Sequence, residues 1–580
     1  MKKISIKWFK SGLIGLLAIF GMASCSDDHF DLNTTNATGT LWENLVASGQ
    51  ADDFTKILEK TIVNKKSYGI PATITYKELL NSPRVFTVWA PKDGTYDAQK
   101  WLDLLAEGKN EVVEKQFVRN HIANYNYSGA YAKVEKIMLY NSKYAEYNVP
   151  ENTFKGVSIS SDPKFKNIPS TNGTLHILEN IAPYAPSLRE VIETETSTSD
   201  MYEYILDKDT LMFIEWLSTE GSTVNGKIQY VDSYFVESNK ILPSIAMNED
   251  SISAAIIPSN TAWQEAIAKI EPFFNLKNKY TYFDEDLNKF VTDSVRADSL
   301  KELYAKRVIF NNMFYSLREQ PGFNYEDATV SSVKNFFETA DSLVSTAYYL
   351  SSYEYHQHAP YCNTLTEGKT PLEASNGYAF ITDHFNFHAN KAWQYDIVLE
   401  AEHTFYLNQH YCNYLLSSSP SGIRHQVTDG NRNDSVQGRV RSNAYQEFAP
   451  SSSASKPVVS FNIPNVLSGT YDIYGVFVPE NMTDPSNMSP KANKFTATLM
   501  YDFDAKGKAS EIKSEETFVT NTSKVDTILL FKDFKFPYSY YGVSKSAPVL
   551  SLQTVLSVAD RKTITPTLYI DCFILKGKDE

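Results

Sequence analysis

Val85-Phe86-Thr87-Val88-Trp89-Ala90-Pro91-Lys92-Asp93-Gly94-Thr95-Tyr96 holds the pattern on which the chain is built. A β-branched and aromatic run stops at Pro91. Asp93, two positions on, is placed to cap a helix that starts near Thr95 and continues through Trp101, Leu102 and Leu105. The pattern returns in Ala254-Ala255-Ile256-Ile257-Pro258-Ser259-Asn260-Thr261-Ala262-Trp263, where Pro258 ends the run, Asn260 stands for Asp93 and Trp263 for Tyr96. Such recurrence marks a repeated unit.

Each copy has a second landmark downstream, Asn172-Gly173-Thr174-Leu175-His176-Ile177 and Asn376-Gly377-Tyr378-Ala379-Phe380-Ile381. Asn-Gly ahead of an alternating run predicts a hairpin. Between the landmarks lie two helix-like segments, Phe117 to Ile122 with His121 and Val308 to Met313 with Asn312. This arrangement resembles the fasciclin (FAS1) family: a strand, a Pro-x-Asp turn and an aromatic helix, a central His segment, and a closing Asn-Gly strand with its own His. The first copy, residues 38–196, has all of these, with His121 and His176 in the matching places; the resemblance implies structural roles for Pro91, Asp93, His121, Asn172, Gly173 and His176. The second copy, 197–396, is degenerate: it keeps Pro258, Asn260, Asn376 and Gly377 but has Asn312 and Phe380 where the histidines would be. Its landmarks are 118 residues apart against 81, an insertion of roughly 37 residues expected to be shared by the segments 281–301 and 351–371.

After Glu400-Ala401-Glu402 the texture changes to short alternating runs separated by Ser, Asn, Gly and Pro: 458–464, 469–478, 494–503, 523–531, 549–558 and 565–575. That spacing predicts an antiparallel β-sandwich over 397–580. The fold class expected is therefore two FAS1-like mixed α/β domains followed by a sandwich. Its Glu-Ala-Glu opening, Gly469-x-Tyr471 strand and Ile570-Asp571 closing strand resemble galactose-binding-like carbohydrate-binding modules. Glu400, Glu402 and Asp571 are candidate ligands for a structural calcium, as related sandwiches hold, or ordinary solvated carboxylates. In Phe534-Lys535-Phe536-Pro537-Tyr538-Ser539-Tyr540-Tyr541-Gly542, the rings of Phe536, Tyr538, Tyr540 and Tyr541 are candidate ligand contacts, the alternative being that they close one end of the sandwich. Cys572 alternates with Leu568, Ile570 and Ile574 and is expected as a core thiol. Whether Cys362 and Cys412 pair is left open.

At the other end, Lys2, Lys3, Lys7 and Lys10 precede an apolar run from Leu13 to Ala23, too short to span a bilayer. Met22-Ala23-Ser24-Cys25 resembles the lipobox of bacterial lipoproteins, which implies a signal peptide over 1–24, lipidation of Cys25 and a membrane anchor. Residues 25–37 read as a flexible tether. Asp27, Asp28 and Asp31 after the cysteine resemble an export signal to the outer face of an outer membrane. The chain carries −14 formal charges. Without four signal-peptide lysines the remainder is still more acidic, which excludes nucleic acid as a partner.

Catalytic signatures are missing. His356, His358, Cys362, His384, His388, His403, His410 and Cys412 are crowded, yet their spacing matches no compact metal motif and no Glu follows His384. Gly221-Ser222-Thr223-Val224-Asn225-Gly226-Lys227 imitates a phosphate loop but puts Ile228 where Ser or Thr must be. No enzyme activity, cofactor or bound metal is expected. The reading is a surface adhesion or interaction protein contacting glycan or protein partners, or else a glycan-capturing accessory of an outer-membrane polysaccharide uptake system.

Overall fold

A computed structural model describes residues 37–579 except 64–73, 130–132, 218, 225, 233–234, 240, 243, 277–280, 285–288, 293–296, 341–342, 344–362, 385–386, 403–404, 407–408, 411–414, 419–421, 453–454, 505–506 and 543–546. The signal peptide, Cys25, Cys362, Cys412, His356, His358 and His403 lie outside the described residues.

The opening stretch folds into the strand Phe86–Pro91, buried at every position. It pairs parallel with Gly173–Leu178 and antiparallel with Ile122–Asn124, while Ile168–Ser170 borders the closing strand. A strand covered on both faces has no reason to alternate, which is why the sequence runs apolar here. One face packs on three helices, Leu41–Ser48, Asp52–Lys60 and Tyr76–Asn81, through Leu45, Phe54, Ile57 and Leu80. The other, with Trp89 and Leu178, packs on the four-stranded antiparallel sheet made by Val134–Met138, Tyr144–Asn148, Thr153–Phe154 and Val157–Ser158.

Ser253–Pro258 repeats this arrangement: parallel with Gly377–Thr382, antiparallel with Phe314–Ser316, and Leu372–Ala374 at the border. Even the register is kept, since Phe86 faces Gly173 and Ser253 faces Gly377. Helix Leu188–Thr194, ahead of the expected division at 196, packs into this second core, which runs on to Trp393. Part of the expected insertion is the hairpin Thr281–Asp284 with Lys289–Thr292.

The C-terminal part is two antiparallel sheets face to face. One has the order Gly422–Val427, Ala444–Ala449, Leu568–Gly577, Thr470–Phe477, Asp526–Lys535, with Ile397–Glu400 joined to Leu568–Gly577; the other runs Leu415–Ser418, Val458–Asn462, Val549–Thr554, Lys494–Tyr501, Ser510–Lys513, with Phe518–Val519 beside Lys494–Tyr501. Phe448, Phe461, Ile473, Phe477, Phe495, Leu550 and Phe573 fill the space between. All six expected strand regions are present.

Candidate functional site

The repeat landmarks act over long distances. Asp93 does not cap the helix that follows it; Asp97 caps that helix, Ala98–Ala106, accepting from Lys100 N at 3.2 Å. The Asp93 carboxylate instead accepts from the backbone N–H groups of Asp52 and Asp53, both at 2.8 Å, at the start of helix Asp52–Lys60, whose own N-cap, Ala51, has no side chain for the task. Asn260 repeats the device, accepting from Asp200 N at 3.1 Å and donating to Ser199 Oγ at 2.9 Å at the start of helix Ser199–Leu206. Asn172 and Asn376 tie each hairpin to its unit's first helix. Their Oδ1 atoms accept from Leu41 N (2.7 Å) and Leu188 N (2.9 Å), and their amides donate to Leu80 O (2.8 Å) and Ala246 O (3.1 Å).

Gly173 and Gly377 are the first strand residues after the hairpin loops, at φ +139° and +150°. A Cβ at either would lie 1.8 Å from the carbonyl oxygen of Phe86 or Ser253, so only glycine fits.

His121 is fully buried, with Nδ1 donating to Phe117 O at 2.7 Å and Nε2 accepting from Ala182 N at 3.0 Å. His176 lies flat against Trp89, centroids 5.5 Å apart, and bonds Tyr127 O at 3.1 Å. Burial pulls both imidazoles down to about 4, so both are neutral. No nucleophile or metal ligand touches either among the described residues. Of the crowded histidines, His384 follows the strand Gly377–Thr382, and His388 precedes a short helix and pairs with Asp579.

Of the two alternatives for 534–542, burial favours rings that close one end of the sandwich, and the reading as exposed ligand contacts is corrected. Phe536 and Tyr540 are buried, 0% and 1% exposed, and belong to the sandwich core, with Tyr538 packed against it. Tyr541 turns the other way and meets Phe274 and Tyr304 of the second unit, centroids at 5.5 and 4.9 Å. The run is a seam. Ser539 N donates to Asn275 O at 2.8 Å, Asn275 Nδ2 to Pro537 O at 2.9 Å, and Ser468 N to Phe273 O at 2.8 Å. Gln394 reaches across to donate to Thr470 O at 2.7 Å, so close that Cβ atoms at Gly469 or Gly577 would collide with it.

Two of the three acidic candidates, Glu400 and Asp571, converge, and Glu402 lies near enough to feel both charges. In Leu568–Gly577, Phe477 pairs with Ile570 but Val476 with Cys572, so Asp571 is the extra residue of a bulge. The bulge reverses the alternation: Phe573 and Leu575 face the core instead of Cys572, a buried thiol on the opposite side from that expected. Asp571 is 1% exposed, and Oδ2 accepts from Arg441 N at 3.0 Å. Glu400 Oε1 accepts from Arg441 Nε at 2.7 Å. Donor atoms of Glu400, Asp571 and Cys572 lie within 4.8 Å of one another. Glu402, 5% exposed, has neither carboxylate oxygen hydrogen-bonded, and Asp571 Oδ1 is likewise unmatched.

Burial, followed by the charges of Glu400 and Asp571, pushes Glu402 up to about 9. Burial raises Asp571 to about 7, opposed by the Arg441 N–H and assisted by Glu400. Burial also pushes the Cys572 thiol up, so it stays protonated and is no ligand. Asp571, with one unbonded oxygen beside the Glu400 carboxylate and the Glu402 charge close by, fits a hard cation such as calcium, which would supply positive charge there.

The open face of the same sheet carries a cross-strand row. Val398 faces Ile574, Ile574 faces Tyr474, and Tyr474 faces Leu529. All four are partly exposed or exposed, and Lys576 Nζ sits 5.2 Å from the Tyr474 ring centre.

These features define a tandem pair of mixed α/β units followed by an antiparallel sandwich. No protein-family model and no curated protein matches the chain, while nineteen chains of solved structure do. The FAS1 domain pair of the insect cell adhesion molecule fasciclin I aligns at 11% identity over 60% of this chain and 97% of its own, with a TM-score of 0.18. The CBM22-1–GH10 modules of Clostridium thermocellum xylanase 10B, complexed with xylohexaose, align at 16% over 28% of each chain, TM-score 0.16. A non-crystalline cellulose-specific carbohydrate-binding module, CBM28, aligns at 9% over 25% of this chain and 78% of its own, TM-score 0.12. What those proteins bind is theirs.

Proposed function

We propose that this chain is an exported, lipid-anchored surface protein of the outer membrane that works by contact and not by catalysis, holding protein partners or glycan away from the membrane. The observation that carries the reading is the construction of its two joints. At the first, Lys143, 3% exposed, donates to Glu249 Oε1 at 3.0 Å and Ser375 Oγ at 2.8 Å and pairs with Glu190 at 2.9 Å. Buried charges of this kind hold only one relative placement of two units, because any other leaves a charge unmatched. The second joint is the Tyr541–Gln394 seam. Stiff joints serve a spacer.

A second reading, glycan capture for an uptake system, is favoured by the Val398–Ile574–Tyr474–Leu529 row, an apolar strip with an aromatic ring on an open sheet face. The test is to incubate the mature protein with soluble and insoluble polysaccharides and, separately, to isolate it with its membrane neighbours. Retention that Tyr474→Ala weakens favours glycan capture. Stable co-isolation of a membrane partner without glycan retention favours adhesion or assembly. Product released from any polysaccharide would sink both.

A further inference from the structure

In the first unit, residues 61–75 join helix Asp52–Lys60 to helix Tyr76–Asn81. In the second, 207–243 do the same between Ser199–Leu206 and Ser244–Met247, and the extra length is a β arm. Its lower ribbon pairs Asp209–Phe213 with Phe235–Asn239; its upper ribbon pairs Thr219–Val224 with Lys227–Asp232. The would-be phosphate loop at 221–227 therefore falls on the upper hairpin, between Thr219–Val224 and Lys227–Asp232.

The arm is anchored at its base. Asp209 takes a two-pronged bond from Arg189, with Nη1 to Oδ1 at 2.8 Å, and a further 2.7 Å bond from Asn239 Nδ2, which also donates to Ile205 O at 2.9 Å. Phe213 packs on the Tyr230 ring at 4.9 Å, and Tyr230 OH donates to Glu215 Oε1 at 2.8 Å, bracing one ribbon on the other. Such a base aims whatever the arm carries.

What it carries is apolar. Trp216 is 76% exposed; Leu206, Leu211 and Met212 are each near half exposed, and Ile228 is also exposed. Four of them lie on the arm and Leu206 ends the helix from which it springs; of eighteen exposed large hydrophobic residues in the described chain, these five fall within 23 positions. Leu211 and Met212, consecutive in a strand, point to opposite faces, so the lower ribbon is apolar on both sides, and such exposure concentrated in one element marks a contact surface.

We infer that the arm is a docking element for a protein partner whose surface offers an apolar cleft rimmed by Lys and Arg. The inference rests on the contact reading above and deepens it. Two observations select the occupant. Leu and Met gain by burial against other apolar side chains and give a sugar ring no flat face, so most of the patch suits protein. Residues 207–240 also hold six acids (Asp207, Asp209, Glu215, Glu220, Asp232, Glu237) against Lys208, Lys227 and Lys240, and with Asp209 neutralised by Arg189 the arm is still negative, so a basic rim is complementary and a second copy of the arm is repelled. Trp216, large and central, is the expected anchor.

The test places the photo-crosslinker p-benzoylphenylalanine at Met212 or Trp216 of the full chain on its own cell surface, with Met488 and Val558, 86% and 84% exposed, as control positions. The expected result is one discrete protein adduct, about tenfold stronger from 212 and 216 than from the controls. Leu211→Asp or Asp207→Lys should each cut it about fivefold while thermal unfolding stays unchanged, and the crosslinked peptide of the partner should lie among Lys and Arg residues. No adduct, an adduct with polysaccharide, lipid or this same chain, or one indifferent to both substitutions would overturn the inference. Product release from a polysaccharide would overturn the contact reading instead, so the two failures are distinguishable.

Discussion

His121 and Asn312 hold the same post in the two units. Each bonds the carbonyl oxygen four residues back, Phe117 O at 2.7 Å and Val308 O at 2.8 Å, and each reaches the backbone of the segment that closes its unit, Ala182 N at 3.0 Å and Ala392 O at 2.9 Å. The imidazole accepts where the amide donates, so the closing strap offers an N–H in one unit and a carbonyl in the other. His121→Ala should cost about 2–4 kcal/mol, because it leaves two buried backbone groups unmatched. His121→Asn should recover part of that loss. Urea unfolding of both variants decides it; equal losses would mean the hydrogen bonds are idle.

The two buried histidines set an acid limit. Folded values of about 4 against about 6.5 unfolded mean that the unfolded chain binds more protons between those pH values. Stability is complete above about pH 6.5 and falls as pH drops toward 4, by about 3 kcal/mol for each histidine. Glu190, whose burial is outweighed by Lys143 and Lys115 so that it lies at about 2, adds a further loss below its unfolded value near 4.5. Unfolding free energy measured from pH 7 to 4 should show this slope, and His121→Asn should reduce it by about half. A flat profile would contradict neutral burial.

Lys143→Ala leaves Glu190 and Glu249 without their shared cation. The loss should be about 3–5 kcal/mol at the joint. Small-angle scattering should show a broader, more extended ensemble for the variant. An unchanged scattering profile would mean that the joint does not depend on the lysine.

Gly377→Ala would drive its Cβ into Ser253 O, and the second unit should lose more than about 3 kcal/mol or fail to fold. Gly430→Ala is the control: φ is +74° there, but nothing lies within 4 Å of the added carbon, so about 1 kcal/mol is expected. Thermal unfolding followed by circular dichroism separates them.

Calcium at about 1 mM should raise the unfolding temperature of the sandwich by several degrees, and a chelator should reverse it. Asp571→Asn or Glu402→Gln should remove the response. Both should also stabilise the calcium-free protein slightly, since the three carboxyl groups repel one another. Identical scans with and without calcium would refute the site.

The sequence by itself determined what depends on neighbours along the chain. The Phe86–Pro91 and Ser253–Pro258 strands, the glycines after the hairpin loops and the six strand regions of the sandwich are written in short patterns of apolar, turn and proline residues, because a strand's alternation and a turn's φ are local constraints. Tertiary structure decided everything set by partners far away. Asp93 caps a helix forty residues earlier, Tyr541 is claimed by Phe274 and Tyr304, and the bulge at Asp571 reverses which side of its strand meets the core. The β arm lies upstream of Pro258, outside the interval between the paired landmarks, and its one trace in the sequence is the longer link at 207–243 against 61–75. Glu400, Glu402 and Asp571 were nameable from the sequence. That Glu400 comes to lie beside Asp571, one of whose oxygens is unbonded, follows only from the strand pairing that brings residue 400 beside residue 572.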